Sequence, residues 1–270
     1  MTARSPGFNA IVLAADRGGN DPVAAAAQVP AKCLTLIAGE PMLLRVLRTL
    51  TQSQQIDSIL LCGPKAEIVE RSPVLRQVLS DGTTRWLDSQ ATPSRSAAAA
   101  LAVLPEDRPV LLTTGDHALL SPDMLRHFLD RVADVDCDVA FALAPHALVQ
   151  AAYPRSRRTV LKFSDGNYCG CNLFAFLTPR GRRMAKIWQQ VEGLRKSPVR
   201  IISLVGWGAM ILYAMGWLSL DGALRRLSRK TGIRISVVTM PFAEAAVDVD
   251  SVEDLQLVRE IVARGAQPHG

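Results

Sequence analysis

Asn9-Ala10-Ile11-Val12-Leu13-Ala14-Ala15 is the stretch on which the fold turns: a short apolar run, NAIVLAA, bounded by Gly, Pro and Asn before it and by a glycine-bearing loop after it. With no polar alternation, it has the pattern of a strand buried on both faces. Downstream, Pro41 opens PMLLRVLRTLTQ, where Leu43, Leu44, Val46, Leu47 and Leu50 recur at helical spacing, and 56–62 is a second apolar run. Strand, helix and strand in that order make a βαβ unit. The alternation continues with a helical pattern over 66–79, a short strand over 84–87, an alanine-rich helix over 94–104 and the apolar strand PVLLTT over 109–114. Strands and helices in alternation predict a mostly parallel sheet with helices on both faces, a Rossmann-like three-layer α/β fold.

Ser121 followed by Pro122 is an N-cap and first-turn proline, starting a helix to about 135, and 138–143 is the next strand. The rhythm then breaks. Residues 153–159 (YPRSRRT) are polar and basic, and the runs 160–163 and 171–177 flank the turn residues Ser164, Asp165, Gly166 and Asn167. This predicts a hairpin inserted over the sheet. Thr178 and Pro179 cap a helix to about 191, a basic amphipathic helix runs from Asp221 to before Gly232, and 233–239 is a late strand. The last helix opens at Ser251 with Asp254 three residues on, a capping box with Asp in the usual place of Glu. The chain reads as a single domain over 1–270, with 145–232 an insertion that carries the hairpin and apolar helices.

The composition narrows the function. Of the 270 residues 49% are hydrophobic, which excludes a disordered or fibrous chain. Lys and Arg number 31 against 25 Asp and Glu, and the net charge of +6 favours anionic partners. Nucleic acid is not expected among them, because the basic residues are scattered and only 5% of residues are aromatic. The 5 cysteines contain no C-x-x-C pair, and Cys169 and Cys171 have no histidine nearby, which argues against a disulfide scaffold or a zinc site. A reducing, cytoplasmic setting without a secretory signal is the expectation. The run 201–220, IISLVGWGAMILYAMGWLSL, has no charge and the length of a membrane span. A span would separate the residues after 221 from the first 200, so buried helices broken at the glycines are the favoured reading. A peripheral membrane contact, a homodimer surface and a spanning helix stay open as alternatives.

In an open α/β sheet ligands sit beyond the carboxyl ends of the strands. After the first strand come Asp16, Arg17, Gly18, Gly19 and Asn20, then Lys32. Small residues let backbone N–H groups approach phosphate oxygens, and a lysine supplies a point charge; a plain surface connection is the competing reading. Asp116 follows the strand VLLTT, where a carboxylate suits Mg²⁺ or caps a loop. Asp248 and Asp250 lie two apart on an extended segment and point the same way, so both could face one ion, unless Asp250 merely assists the cap at Ser251. Thr92-Pro93-Ser94-Arg95-Ser96 starts the alanine-rich helix, where Ser94 and Ser96 would meet a nucleobase or ribose, or the segment is a plain helix N-cap.

Taken together, AIVLAADRGG, PAKCLTLIAGEPMLLRVL, VLLTTGDHALL and AVDVDSVEDL resemble the sugar-nucleotide-transferase-like nucleotidyltransferases, most closely the molybdenum-cofactor nucleotidyltransferase group. The resemblance implies a sheet of the nucleotide-diphospho-sugar transferase (glycosyltransferase-A) type. It also implies an enzyme that joins a nucleoside triphosphate to a phosphorylated acceptor, releasing pyrophosphate with Mg²⁺ (or Mn²⁺). Carried over, it places Leu13, Ala14, Ala15, Gly18 and Gly19 along the nucleotide and Lys32 on its phosphates. It makes Asp116 a metal ligand, with Asp248 or Asp250 the second, and sets Ser94 and Ser96 at the base and Asn172 against the acceptor. The basic residues Arg155, Arg157, Arg158 and Lys162 would receive an anionic acceptor. Three departures stand out. Asp16 occupies the place of the loop's first glycine, Asn20 that of the loop arginine, whose role is then either taken by Arg17 or lost, and Ala31 separates Pro30 from Lys32. Two other functions fit the same residues: a glycosyltransferase using Asp248-Val249-Asp250 as a D-x-D, and a non-catalytic nucleotide-binding or membrane-associated protein.

Overall fold

A computed structural model describes residues 7–16, 21–192 and 207–265. The chain runs through β1 (Phe8–Leu13), α1 (Pro22–Ala27), the two short strands β2 (Leu36–Ile37) and β3 (Glu40–Pro41), α2 (Met42–Gln52), β4 (Ile56–Cys62), α3 (Ala66–Arg71), α4 (Pro73–Ser80), β5 (Thr84–Leu87), α5 (Pro93–Val103) and β6 (Val110–Thr114). It continues through α6 (Pro122–Ala133), β7 (Val139–Pro145), α7 (His146–Ala152), β8 (Val160–Phe163), β9 (Gly166–Phe176), α8 (Pro179–Glu192), α9 (Trp207–Ala214), α10 (Leu220–Thr231), β10 (Ile235–Thr239) and α11 (Val252–Gly265).

The main sheet has the order β10-β7-β9-β6-β1-β4-β5, with β8 paired to β9 off that path. β1 lies parallel to β4 on one side and to β6 on the other. Its side chains alternate between two cores: Ala10 and Val12 join the cluster with Val46, Leu50, Leu125 and Phe128, while Ile11 joins Ala97, Leu101 and Ala185 on the opposite face. Helices therefore cover both faces, and the apolar character of NAIVLAA follows from having no solvent side. Caps read in the sequence are made: Ser121 Oγ accepts the Met124 N–H at 3.2 Å, and Thr92 Oγ1 that of Arg95 at 3.3 Å.

Two expectations are corrected and one element is added. The helical pattern over 66–79 is two helices, because Pro73 has no N–H to continue the ladder; Ser72 is extended there and accepts the Leu75 N–H at 3.3 Å, starting α4. Residues 146–152, left without an element by the sequence, form α7. The hairpin does not lie over the sheet. Its long arm, β9, is an internal antiparallel strand between β6 and β7, with Phe174 opposite both Leu112 and Phe141. The physical reason is in its composition: Leu173 and Ala175 fill one core and Phe174 and Phe176 the other, as an interior strand requires.

The charge-free run is not one helix over its described part. Residues 201–206 lie outside the described residues; α9 ends at Ala214, Gly216 takes a left-handed φ of +71°, and Ser219 caps α10. Among the described residues no helix is long and apolar enough to cross a membrane. Ile211, Met215 and Trp217 are exposed, Trp217 to 66%.

One buried carboxylate ties the far edge together. Asp138 accepts from the Arg234 N–H at 2.8 Å, from its guanidinium at 3.1 Å and from Thr178 Oγ1 at 2.9 Å, joining the starts of β7, β10 and α8. Thr178 Oγ1 in turn accepts the Gly181 N–H at 3.1 Å, and a Cβ at Gly181 would overlap the Asp138 carbonyl oxygen. Because the obstacle is backbone, Gly181→Ala should lower the unfolding free energy by about 2 kcal/mol or more, read as a drop in the urea midpoint. An unchanged midpoint would mean that α8 is free to shift.

Candidate active site

The site forms where the loops after β1 and β6 meet the segment before α11. Asp16, just beyond β1, accepts the Lys32 backbone N–H with both carboxylate oxygens, at 3.1 and 3.0 Å. Cys33 and Leu34, which follow, are buried in the core, so the lysine's backbone is fixed from both sides. Asp16 thus gives the atypical loop a purpose that the sequence did not reveal. Its own acidity is weakened by burial, against which the Lys32 N–H acts.

The Lys32 side chain reaches Asp116 Oδ2 at 2.6 Å and Asp250 Oδ1 at 3.2 Å. Asp116 lies just past the end of β6, and its carbonyl accepts the Val249 N–H at 3.2 Å, docking the late segment onto the sheet. Val247 and Val249 are fully buried against Leu255 and Val258 of α11. Alternation then turns Asp248 and Asp250 to the other side, where Asp250 reaches Lys32. Lys32 is 12% exposed and Asp116 15%, whereas Asp250 is 51% exposed. Burial would make the ammonium give up its proton more easily, but the Asp116 charge and hydrogen bond outweigh it, so Lys32 is held charged.

Asp248 has different partners. Arg158 Nη1 contacts its Oδ1, Arg158 also donates to its carbonyl at 3.2 Å, and Asn172 Nδ2 donates to its Oδ2 at 3.0 Å. Arg158, 9% exposed, spends its other Nη on Asp254 Oδ1 at 2.5 Å. Asp254 closes the capping box at the same time, accepting the Ser251 N–H at 3.1 Å while Ser251 Oγ accepts that of Asp254 at 3.1 Å. Burial and the negative charges of Asp116 and Asp250 push the Asp248 carboxyl up to about 6, despite Arg158 and Asn172. Arg158 therefore sits among acids, engaged by two carboxylates. The role of Asp254 as its second anchor was hidden behind the capping signature.

Beside the lysine opens a cleft of about 550 Å³, lined by Ala15, Asp16, Ala31, Pro64, Lys65 and Ser89 at the carboxyl ends of β1, β4 and β5. Leu13 is the last residue of β1, and the buried Ala14 donates its N–H to the Cys62 carbonyl at 2.9 Å. Ser94 and Ser96 are buried; Ser96 Oγ accepts the Gln90 N–H at 2.9 Å and so holds the cleft wall, and Ser94 Oγ meets Thr92 Oγ1 at 3.1 Å. Arg155 and Arg157 line a second cavity, of about 710 Å³, with Ser251 and Glu253. Lys162 is exposed on β8. Arg17, Gly18 and Gly19 lie outside the described residues.

Among the described residues, no group of three or more His, Cys, Asp or Glu side chains stands ready to hold a metal ion. Yet Asp116 Oδ1 is buried with no hydrogen-bond partner among the described residues, and its Oδ2 shares one lysine nitrogen with Asp250. The two carboxylates thus share one cation and Asp116 keeps a spare oxygen, hard donors that suit Mg²⁺ or Mn²⁺ once the lysine withdraws. His117, next in the chain, is fully buried, which lowers its pKa to about 4, and neither ring nitrogen has a partner among the described residues.

The comparisons agree with this architecture. The family model of the MobA-like NTP transferase domain matches residues 10–234. No curated protein matches the chain. Among solved structures, a hypothetical transferase from Thermus thermophilus is similar at 26% identity with a TM-score of 0.75, covering 92% of this chain and 99% of its own. A CMP:2-keto-3-deoxy-manno-octonic acid synthetase complexed with CTP shares the fold at 15% identity and a TM-score of 0.57, over 96% of this chain and 100% of its own. So does a 4-diphosphocytidyl-2C-methyl-D-erythritol synthase from Anaerococcus prevotii, at 14% identity and a TM-score of 0.58, over 96% of each chain.

Proposed function

The chain belongs to the MobA-like NTP transferase domain family, a family of nucleotidyltransferases, and from that premise we propose that it transfers a nucleoside monophosphate from a nucleoside triphosphate to a phosphorylated small molecule, releasing pyrophosphate. The observation that carries this reading is the meeting of Lys32, Asp116 and Asp250, far apart in sequence, next to the cleft whose wall includes Asp16 and Ala31.

In the reaction, an acceptor phosphate oxygen forms a new bond to the α-phosphorus while the bond from that phosphorus to the β-bridging oxygen breaks, and pyrophosphate leaves with the electron pair. Such chemistry depends on positioning and on neutralising charge, so little acid–base machinery is needed. The cleft wall from Ala15 to Ser89 encloses the nucleoside, and the small side chains of Ala14 and Ala15 let it lie close to the backbone. Lys32, held charged by its surroundings, offsets charge growing on the β- and γ-phosphates. Asp116 and Asp250 would hold Mg²⁺ or Mn²⁺, which when bound supplies further positive charge to the phosphates. Asn172, which donates to Asp248 Oδ2, would meet the acceptor, to which Arg157 and Lys162 would offer cationic groups.

The test is to incubate the full chain with Mg²⁺, each of the four ribonucleoside triphosphates and a set of sugar and polyol phosphates, and to measure pyrophosphate. Release that requires both substrates supports the proposal. Free nucleoside diphosphate in a parallel incubation supplied with sugar nucleotides would replace it with the glycosyltransferase reading. Triphosphate binding without any product would leave a nucleotide-binding protein.

A further inference from the structure

The acids of the site are each paired with a cation of the chain itself: Lys32 bridges Asp116 and Asp250, and Arg158 holds Asp248. The two differ in what they can do. Arg158 is pinned by two carboxylates and the Asp248 carbonyl, and its removal would leave both acids without compensation. Lys32 has a fixed backbone, tied to Asp16, and a long side chain whose only described partners are the two acids. It can swing without disturbing the fold.

Its ammonium lies between one oxygen of Asp116 and one of Asp250, the position an ion bridging those two oxygens would take. A divalent ion arriving alone must displace it, and the ammonium then loses two charge-assisted hydrogen bonds with no new partner except water. An ion arriving with a triphosphate meets a different balance, because the phosphate oxygens give the ammonium new anionic partners as it leaves the acids. We infer that Lys32 is an internal counter-cation that keeps the divalent ion out of the empty site, so that metal and triphosphate bind only together. The inference rests on the nucleotidyltransferase reading for the identity of the second ligand. By linkage the coupling is reciprocal: the ion favours the triphosphate by the same factor by which the triphosphate favours the ion.

The experiment titrates Mn²⁺ into the full chain and reads free Mn²⁺ by its electron paramagnetic resonance signal, with and without a non-hydrolysable triphosphate analogue. For the wild type, the analogue should tighten Mn²⁺ binding at least 10-fold. Lys32→Met should bind Mn²⁺ in the absence of nucleotide at least 10-fold more tightly than the wild type, whereas Lys32→Arg, which keeps the charge, should resemble the wild type. As a readout that also reports folding, Mg²⁺ alone should raise the melting temperature of Lys32→Met more than that of the wild type. Equal Mn²⁺ affinity of wild type and a cooperatively melting Lys32→Met would overturn the inference. So would a wild-type Mn²⁺ affinity indifferent to the analogue when that analogue binds, a result that needs no variant to fold. Failure of the underlying reading looks different: no triphosphate binds to any form, while the Mn²⁺ difference between wild type and Lys32→Met persists, which supports the role of Lys32 and removes the nucleotide.

Discussion

Asp116→Asn should lower the rate of pyrophosphate release at least 100-fold, equivalent to about 3 kcal/mol of lost transition-state stabilisation. The substitution keeps size and shape but removes the charge that lies 2.6 Å from Lys32 and the hard oxygen donor that suits a divalent ion. It leaves the Asp116 carbonyl in place, so the Val249 N–H keeps its acceptor and the segment carrying Asp248 and Asp250 stays docked. Lys32 retains Asp250 as a partner. The loss should therefore appear mainly in kcat, since charge neutralisation matters most as the leaving group forms, with a smaller change in KM. A thermal melt of the same preparation separates chemistry from unfolding. Turnover within a few-fold of the wild type would take Asp116 out of the machinery.

Asp138→Ala is expected to lower stability by about 3 kcal/mol. Breaking a buried ion pair from one side commonly costs about 3–5 kcal/mol, and the lower end applies because Arg234 is half-exposed. The carboxylate is almost wholly buried and anchors Thr178 and Arg234, so its loss loosens the starts of α8 and β10 together. The same group gives a pH dependence. Burial alone would raise its pKa, but the Arg234 side-chain and backbone hydrogen bonds and the Thr178 hydroxyl prevail and hold it at about 2, below the ordinary 3.8. A carboxyl more acidic in the folded than in the unfolded chain stabilises the fold above the unfolded value, and that contribution disappears as pH falls toward 2. Urea unfolding between pH 5 and 2 should show about 1–2 kcal/mol lost through this group, with the slope reduced in Asp138→Ala. A variant whose stability and acid sensitivity both match the wild type would contradict the role given to Asp138.

What could be read from the sequence follows the range of the interactions. Ile56–Cys62 and Thr84–Leu87 agree with the expected strands residue for residue, because each is a local apolar run between turn signals. The caps at Thr92, Ser121 and Ser251 were legible for the same reason: donor and acceptor lie within one turn of each other. Lys32, Asp116 and Asp250 were singled out by residue type at strand ends and by resemblance, but their convergence depends on the sheet order, which no local pattern encodes. The place of β9 is not legible for the same reason. GNYCGCNLFAF shows an edge-like alternation in its first half, where β8 is a partner, and a two-sided apolar character only in LFAF. The pairing of Arg158 with Asp248 and Asp254 spans about ninety residues, and nothing in YPRSRRT distinguishes its three arginines. Pro73 is the opposite case, a local breaker present in the sequence but overridden by the apolar periodicity around it.

The position of β9 has a consequence for how the molecule is made. Its two neighbours, β6 and β7, are both synthesised before it, yet they never touch in the finished sheet; the strand that separates them emerges from the ribosome last of the three. Until then each exposes an unpaired edge, open to wrong partners, including each other. The nascent chain must therefore leave a slot of one strand's width, or reopen a premature pairing, before the turn at Ser164–Asp165 delivers β9 into it. A chaperone that shields exposed strand edges would act on this protein during that interval and would have no substrate once β9 is seated.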